Sequence, residues 1–85
     1  MLLHLGNDYM IPTKDVVLIA DIESTSSEIT EEFLEIAEEE GFIKNFSKGE
    51  PKSFVITDET IYYSNISSKT LRKRMNFVNR LNRDH

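Results

Sequence analysis

Residues 16–22, Val-Val-Leu-Ile-Ala-Asp-Ile, form the longest apolar run in the chain, and β-branched side chains dominate it. The run is far shorter than the roughly 20 apolar residues of a transmembrane helix. It also lacks the three-to-four-residue spacing of an amphipathic helix. We therefore predict that this run is the central strand of a sheet and that it is buried on both faces.

Several other segments have the composition of strands: Leu2–Leu5, Tyr9–Ile11, Phe42–Phe46, Ser53–Thr57 and Thr60–Ser64. The last two are separated by Asp58-Glu59, and a two-residue gap between strands predicts a β-hairpin. Gly6-Asn7-Asp8 is predicted to form a turn between the first two strands, because Gly and Asn tolerate positive φ and Asp can close an Asx-turn.

The first predicted helix follows the apolar run and is strongly acidic. Phe33, Ile36 and Ala37 fall on one side of it. Glutamates cover the other side: Glu28, Glu31, Glu32, Glu35, Glu38 and Glu39. Either Thr30 or Ser27 is expected to cap its N-terminus. Gly41 is expected to end it, since glycine readily adopts the left-handed conformation that follows a helix.

The second predicted helix is basic and opens at the N-cap Ser67. Its apolar face consists of Leu71, Met75, Val78 and Leu81. The opposite face carries five cations, with Asn76 and Asn79 between them: Lys69, Arg72, Lys73, Arg80 and Arg83. Such a face suits contact with phosphates, but any solvated helix also needs a polar face, and this one can equally pair with the acidic helix.

These elements predict an α+β fold: a small, mainly antiparallel sheet of about five strands with one inserted helix and a C-terminal basic helix. We predict one domain over residues 1–85, in which residues 72–85 form the C-terminal helix and tail. A chain of 85 residues without cysteine has a small core and no disulfide to stabilise it. Oligomerisation is therefore expected.

The net charge of −5 conceals an asymmetry along the chain. Residues 1–66 contain fourteen acidic and four basic side chains, whereas residues 67–85 contain six basic and one acidic. The acidic majority argues against tight, nonspecific binding of nucleic acid by a lone monomer. An oligomer can nevertheless bring its basic helices together on one surface.

Catalytic chemistry has little support in the sequence. His4 and His85 lie at opposite ends of the chain, neither with the spacing of a metal ligand, and there is no cysteine. The glutamates of the acidic helix are typical of a solvated face. We therefore predict no catalytic residue, no metal site and no cofactor. With no signal peptide or transmembrane segment in view, a cytoplasmic protein with no membrane partner is expected.

An ordered series of segments resembles the bacterial extracellular-matrix regulatory proteins of the RemA/RemB family, and the RemB-like branch most closely. The segments are Leu3–Gly6 with Ile11-Pro12, Val17–Ser24, Glu32–Gly41, Pro51–Asp58 and Ile66–Leu71. The resemblance covers residues 1 to about 75. It implies a cytoplasmic regulator of biofilm-matrix gene expression that forms ring-shaped homo-oligomers and binds DNA.

The resemblance also implies where DNA would bind. RemA-like proteins bind DNA with an arginine before the central strand and an arginine pair in a later loop, and Lys14 and the Lys48–Lys52 loop occupy these places here. Together with the basic helix, this gives seven candidate nucleic-acid-binding residues: Lys14, Lys48, Lys52, Lys69, Arg72, Lys73 and Arg80. The alternative is a protein-interaction or assembly module that regulates without touching DNA.

Overall fold

The computed structural model describes the backbone of residues 1–23 and 28–83, and the side chains of residues 1–23 and 30–77. The elements, in chain order, are β1 (Leu2–Gly6), β2 (Tyr9–Pro12), β3 (Val16–Asp21), α1 (Glu28–Glu39), β4 (Ile43–Asn45), β5 (Ser53–Thr57), β6 (Ile61–Ser64) and α2 (Ser68–Arg83). The predicted α+β class is confirmed. The strands divide between two sheets, and the described part of the chain contains six of them rather than about five.

The larger sheet has the strand order β3-β5-β6-β4, and the smaller one is the β1–β2 hairpin. All described pairings are antiparallel except that of β4 with β6. The predicted hairpin between β5 and β6 is confirmed, with Phe54 opposite Tyr63 and Ile56 opposite Ile61. β4 pairs in parallel with β6 because the loop after β4 crosses the end of β6 at Ser64 to reach β5, and β5 then runs antiparallel to β6.

The prediction that residues 16–22 form a central, doubly buried strand is wrong. β3 lies at the edge of the larger sheet, and Val17 is 70% exposed while Leu18 is 48% exposed. The pairing register with β5 shifts between Val16 and Leu18, so a bulge leaves Val17 without a partner opposite it. Ile19 is the member of the run that is fully packed into the core.

The larger sheet separates two apolar clusters. On one side α1 contributes Leu34 and Ala37 to a cluster with Phe54 and Ile61. The other side is covered by the β1–β2 hairpin and α2, and its cluster contains Leu3, Leu5, Ile11, Ile19, Val55 and Leu71. Neighbouring residues of β5, such as Phe54 and Val55, belong to different clusters because side chains alternate between the faces of a strand.

One terminus of each helix lies where the sequence predicted it: α2 begins after Ser67, and α1 stops at Gly41. The Ser67 hydroxyl oxygen accepts a hydrogen bond from the Thr70 backbone N–H at 3.2 Å, which confirms it as the N-cap of α2. Gly41 has φ +78°, and the N–H groups of Gly41 and Phe42 donate to the carbonyls of Glu38 and Ala37 at 3.1 and 2.9 Å. This Schellman pattern confirms Gly41 as the stop of α1.

The predicted N-terminus and apolar face of α1 need correction. Thr30 is not the N-cap, because α1 has already begun at Glu28; the alternative, Ser27, lies outside the described residues. α1 buries Leu34 and Ala37, whereas Phe33 and Ile36 remain about half exposed. The helix is therefore rotated about its axis relative to the face predicted from Phe33, Ile36 and Ala37.

Tyr63 gives this side of the sheet a measurable pH dependence. Burial, and to a lesser extent the Glu38 carboxylate, raises the pKa of the Tyr63 phenol above its ordinary value of 10.0. The folded state therefore favours the protonated phenol, and the stability that this contributes is present below pH 10.0 and lost as pH rises through the raised pKa. In urea titrations, Tyr63→Phe is expected to reduce the loss of stability above pH 10.0. An unchanged alkaline loss in this variant would contradict the assignment.

Candidate nucleic-acid interface

Lys14 and Lys52 lie at opposite ends of β3. Lys14 is exposed in the 3₁₀ turn that precedes the strand. Lys52 is tied to the other end, where its N–H donates to the Ser64 carbonyl at 2.8 Å and its own carbonyl accepts from the Ile22 N–H at 3.0 Å. A six-residue strand is about 20 Å long, so these two candidates do not form one patch within a protomer.

The start of α2 lies at the Lys52 end of the sheet. The Ser68 hydroxyl donates to the Asp21 carboxylate at the end of β3. The Ser53 hydroxyl donates to the Ile66 carbonyl at 2.7 Å, which fixes the approach to the helix. Lys69, in the first turn of α2, is therefore held at the same end of the sheet as Lys52, and its side chain is exposed.

The exposed polar side of α2 carries a continuous row of donors. We call the residues Lys69, Arg72, Lys73 and Asn76 the α2 basic face. Their spacing of three, four and seven residues places them on one side of the helix. All four are exposed, as predicted from the helical pattern. The structure thus brings three of the seven candidate cations together.

Two arginines also fasten α2 to the strands beneath it. Nη2 of Arg72 donates to the Ile19 carbonyl at 2.8 Å, and Nη1 of Arg74 donates to the His4 carbonyl at 2.9 Å. A carbonyl on an edge strand would otherwise be open to pairing with another chain. Arg72 therefore has a structural contact in addition to its place on the α2 basic face. Arg74 was missed as a functional candidate because it falls at the flank of the helical wheel.

Lys48 lies in the loop between β4 and β5, where its side chain is exposed. This loop starts beside the β1–β2 turn, since the Asn7 side-chain amide donates to the Phe46 carbonyl at 2.7 Å. The Tyr9 ring stacks on the Phe46 ring with centroids 3.8 Å apart. Arg80 belongs to α2, but its side chain lies outside the described residues.

The electrostatic setting distinguishes the candidates. Lys52 borders a groove with three carboxylates, those of Asp21, Glu23 and Glu50. A DNA phosphate approaching Lys52 would meet these negative charges, which weaken the attraction. The α2 basic face contains no acidic side chain within residues 68–83. An approaching phosphate would therefore meet no carboxylate on α2 itself, and the Asp21 carboxylate lies only at the start of the helix, where it accepts from Ser68.

Two kinds of feature are absent from residues 1–23 and 28–83. No helix there is long and apolar enough to cross a bilayer. No group of three or more His, Asp or Glu side chains in this part of the chain is arranged to hold a metal ion.

Comparison with known proteins gives the family. The RemA-like family, described as extracellular matrix regulatory protein A-like, matches residues 2–75. This chain belongs to the RemA-like family. It is 42% identical over 78 residues to extracellular matrix regulatory protein B of Bacillus subtilis (strain 168), covering 92% of this chain and 94% of that relative. The resemblance to the RemA/RemB family, and to its RemB-like branch, is confirmed.

Family membership bears on the site in two ways. The family is described by a regulatory role rather than by a reaction. The matched region includes Lys69, Arg72 and Lys73 and ends at Met75, one residue before Asn76, the last member of the α2 basic face. The first two turns of α2 therefore lie within the matched region.

Proposed function

We propose that this chain is a cytoplasmic, oligomeric regulator of biofilm extracellular-matrix gene expression that binds DNA through the α2 basic face. Membership of the RemA-like family supports the regulatory role. The observation that carries the DNA-binding part is the row of exposed Lys69, Arg72, Lys73 and Asn76 on a helix with no acidic residue in its described range. Lysine and arginine at phosphates release condensed counterions, and asparagine can also contact base edges.

In this proposal the remaining candidates are secondary. Lys14 and Lys48 are exposed and can add phosphate contacts, whereas the carboxylates near Lys52 weaken its attraction for phosphate. Because Lys14 is about 20 Å from the Lys52 end of the sheet, one protomer would engage separate phosphates along a duplex. An oligomer would repeat the α2 basic face, so that several copies contact one duplex at once even though each chain carries an overall charge of −5.

The proposal predicts a strong effect of charge reversal on α2. Fluorescence anisotropy with a labelled duplex should show that Lys69→Glu/Lys73→Glu lowers affinity about tenfold or more at low salt, because each reversal removes a phosphate contact and adds repulsion. A plot of log affinity against log salt concentration should also become less steep, by about one unit of slope for each lost phosphate contact.

The matched control is Lys44→Glu compared with Lys73→Glu, because the two single variants change the net charge equally. Lys44 is exposed on β4, the opposite edge of the larger sheet from β3, to which Arg72 of α2 is bonded. Equal losses from the two variants would mean that net charge, and not the α2 basic face, governs binding. An absence of salt-sensitive binding by the parent protein would overturn the DNA-binding proposal.

The second candidate function is a protein-interaction or assembly module that regulates without contacting DNA. The observation that favours it is the number of large apolar side chains left exposed in so small a domain, among them Val17, Phe33, Phe42 and Phe77. The same anisotropy experiment separates the two. A parent protein that assembles but shows no DNA binding at low salt would support this second function.

A further inference from the structure

An open apolar groove lies on the α1 side of the larger sheet, between α1 and the β5–β6 turn. Phe33 and Ile36 of α1 and Phe42 after it are each about half exposed along its wall. Ala37 of α1 and Ile61 of β6 are buried at its floor. The groove has a volume of about 380 Å³, and we call it the α1 groove.

The exposed apolar surface continues from the groove to the edge strand β3. Leu18 of β3 pairs with Ile56 of β5, which lines the groove, so the two side chains lie next to each other on one face of the sheet. Leu18 is 48% exposed. Large apolar side chains that are exposed as a group, unlike single ones, mark an interaction surface.

Carboxylates border this apolar surface. The β5–β6 turn supplies Asp58 and Glu59 at one wall of the groove. Glu32 is exposed one turn before Ile36 on α1, and the exposed Glu40 lies one turn after it, where its N–H donates to the Ile36 carbonyl at 3.0 Å. Within the described part of the chain, the residues that line the groove include no lysine, arginine or histidine.

We propose that the α1 groove binds an amphipathic helix of a different protein, one with apolar side chains on one face and lysine or arginine beside them. Apolar side chains three or four residues apart on such a helix would insert between Phe33, Ile36 and Phe42. Its cations would face Asp58 and Glu59, and complementary charges across an interface select the partner. This inference goes beyond the proposed function, because it assigns a protein partner to a surface that has no part in DNA binding.

The walls of the groove favour a helix over an extended peptide as the occupant. An added strand needs the open row of backbone N–H and C=O groups at a sheet edge, whereas this groove is bounded by a helix and a turn. Phe33 and Ile36 are three residues apart on α1. A helix that packs alongside α1 can place side chains of the same spacing between them.

The basic helix of this protein is not free to be that occupant. α2 buries Leu71 against the other face of the sheet, and two of its arginines donate to carbonyls of the strands beneath it. Because its buried face is already engaged within its own fold, a second copy cannot offer that face to the α1 groove. A different protein is therefore the partner that the charge pattern favours.

The partner and DNA would occupy opposite sides of the molecule. α1 packs on the face of the larger sheet that carries Phe54, whereas α2 packs on the face that carries Val55. A helix in the α1 groove therefore leaves Lys69 and Lys73 of the α2 basic face uncovered. The two binding events can be measured independently.

The test uses a synthetic peptide with the stated chemistry as the probe. The peptide has about 16 residues, enough to form a helix, with leucine at positions i, i+3, i+4 and i+7 and lysine on both flanks. In a nuclear magnetic resonance titration of the full chain, the largest shifts should fall on the backbone amides of Phe33, Ile36, Phe42 and Ile61. The same peptide with glutamate in place of each lysine should bind at least about tenfold more weakly, because it meets like charges.

A pair of phenylalanine variants tests the apolar part of the groove. Phe33→Ala should weaken peptide binding about tenfold, since it removes an aromatic side chain from the centre of the contact. Phe77→Ala is the matched control, because it removes the same side chain from an exposed position on the other face of the sheet, and it should leave peptide binding unchanged. Melting followed by circular dichroism checks that both variants are folded.

A pair of charge variants tests the acidic border and does not depend on apolar packing. Asp58→Asn/Glu59→Gln changes two exposed side chains and should weaken binding of the lysine peptide several-fold. The matched control is Glu31→Gln/Glu35→Gln. It changes the net charge equally but on the other side of α1, next to Tyr63, and its effect should be clearly smaller.

The outcomes separate this inference from the proposed function. Absence of peptide binding, shifts centred on α2, or equal losses in the matched variants would overturn the proposed docking. Light scattering on Phe33→Ala tests the other occupant: loss of an oligomer that the parent protein forms would show that a second copy fills the groove, and would overturn the proposal. DNA binding of Phe33→Ala, measured by anisotropy, should equal that of the parent protein. A parent protein that binds the peptide but not DNA would overturn the DNA-binding proposal and support this one.

Discussion

Replacing Gly6 with alanine is expected to destabilise the fold by about 2–4 kcal/mol, through backbone strain and a steric clash together. Gly6 has φ +101°, in the region that other residues rarely adopt. A Cβ added there would lie 2.6 Å from the side-chain oxygen of Asn65, closer than real contacts allow. That oxygen is buried and has no hydrogen-bond partner within the described residues, so the alanine methyl would push on an already unfavourable group.

Gly49→Ala is the matched control for this substitution. Gly49 also has a left-handed backbone, with φ +90°, but nothing lies within 4 Å of the Cβ that alanine would add. Gly49→Ala should lower the free energy of unfolding only through backbone strain, by about 1 kcal/mol. Urea unfolding followed by circular dichroism measures both variants. Equal losses would contradict the steric role of Asn65.

A double-mutant cycle sharpens the comparison. Asn65→Ala removes the oxygen that the new methyl would meet, so Gly6→Ala should be less destabilising in that background. The expected recovery is on the order of 1 kcal/mol or more, which is typical of residues in direct contact. Strictly additive effects would show that Gly6 matters for its backbone conformation alone.

The features that the sequence predicted correctly are local ones. Gly6-Asn7-Asp8 forms a turn in which Asn7 and Asp8 have φ +51° and +66°, as a two-residue hairpin turn requires. Ser67 caps α2 and Gly41 ends α1 because each acts on backbone groups a few residues away. Such features need no knowledge of the rest of the fold.

The incorrect predictions concern which strand or helix face meets which neighbour. The composition of β3 is that of a buried strand, yet its position at the sheet edge depends on where β5 and β6 pair. Phe33 and Ile36 fit an apolar stripe as well as Leu34 does, and only the packing against Phe54 and Ile61 selects Leu34. Such choices leave Val17, Phe33 and Ile36 exposed although the sequence pattern alone predicts burial.

The candidate site shows the same limit. Helical spacing was enough to place Lys69, Arg72 and Lys73 on one exposed side of α2. It could not show that Lys14 and Lys52 lie at opposite ends of β3, because that depends on the antiparallel pairing with β5. Nor could it show that Arg72 reaches the Ile19 carbonyl, a contact between residues far apart in the chain.

Leu71→Ala is expected to destabilise the protein by about 2–5 kcal/mol, the usual range for truncating a fully buried leucine. Leu71 is 0% exposed and joins α2 to the cluster formed by β1, β2, β3 and β5. A domain of this length is stabilised by only about 4–13 kcal/mol in total, so the loss is a large part of the whole. Chemical denaturation measures it directly.

The control on the same helix is Phe77→Ala. Phe77 is 63% exposed, so its truncation should change the free energy of unfolding by no more than about 0.5 kcal/mol. A loss of less than about 1 kcal/mol in Leu71→Ala would contradict the docking of α2 on the hairpin side of the sheet. Comparable losses in both variants would contradict the assignment of one buried and one exposed face.

Leu71→Ala also separates the two roles of α2. Since Leu71 and the Arg72 bond to Ile19 hold the helix in place, weakening the anchor should loosen the α2 basic face as a unit. DNA binding by this variant should therefore fall in step with its folded fraction and recover on cooling towards its temperature of maximum stability. Lys69→Glu/Lys73→Glu should instead retain its stability and lose DNA binding at every temperature, because it changes the charge of the surface and leaves the packing beneath it intact.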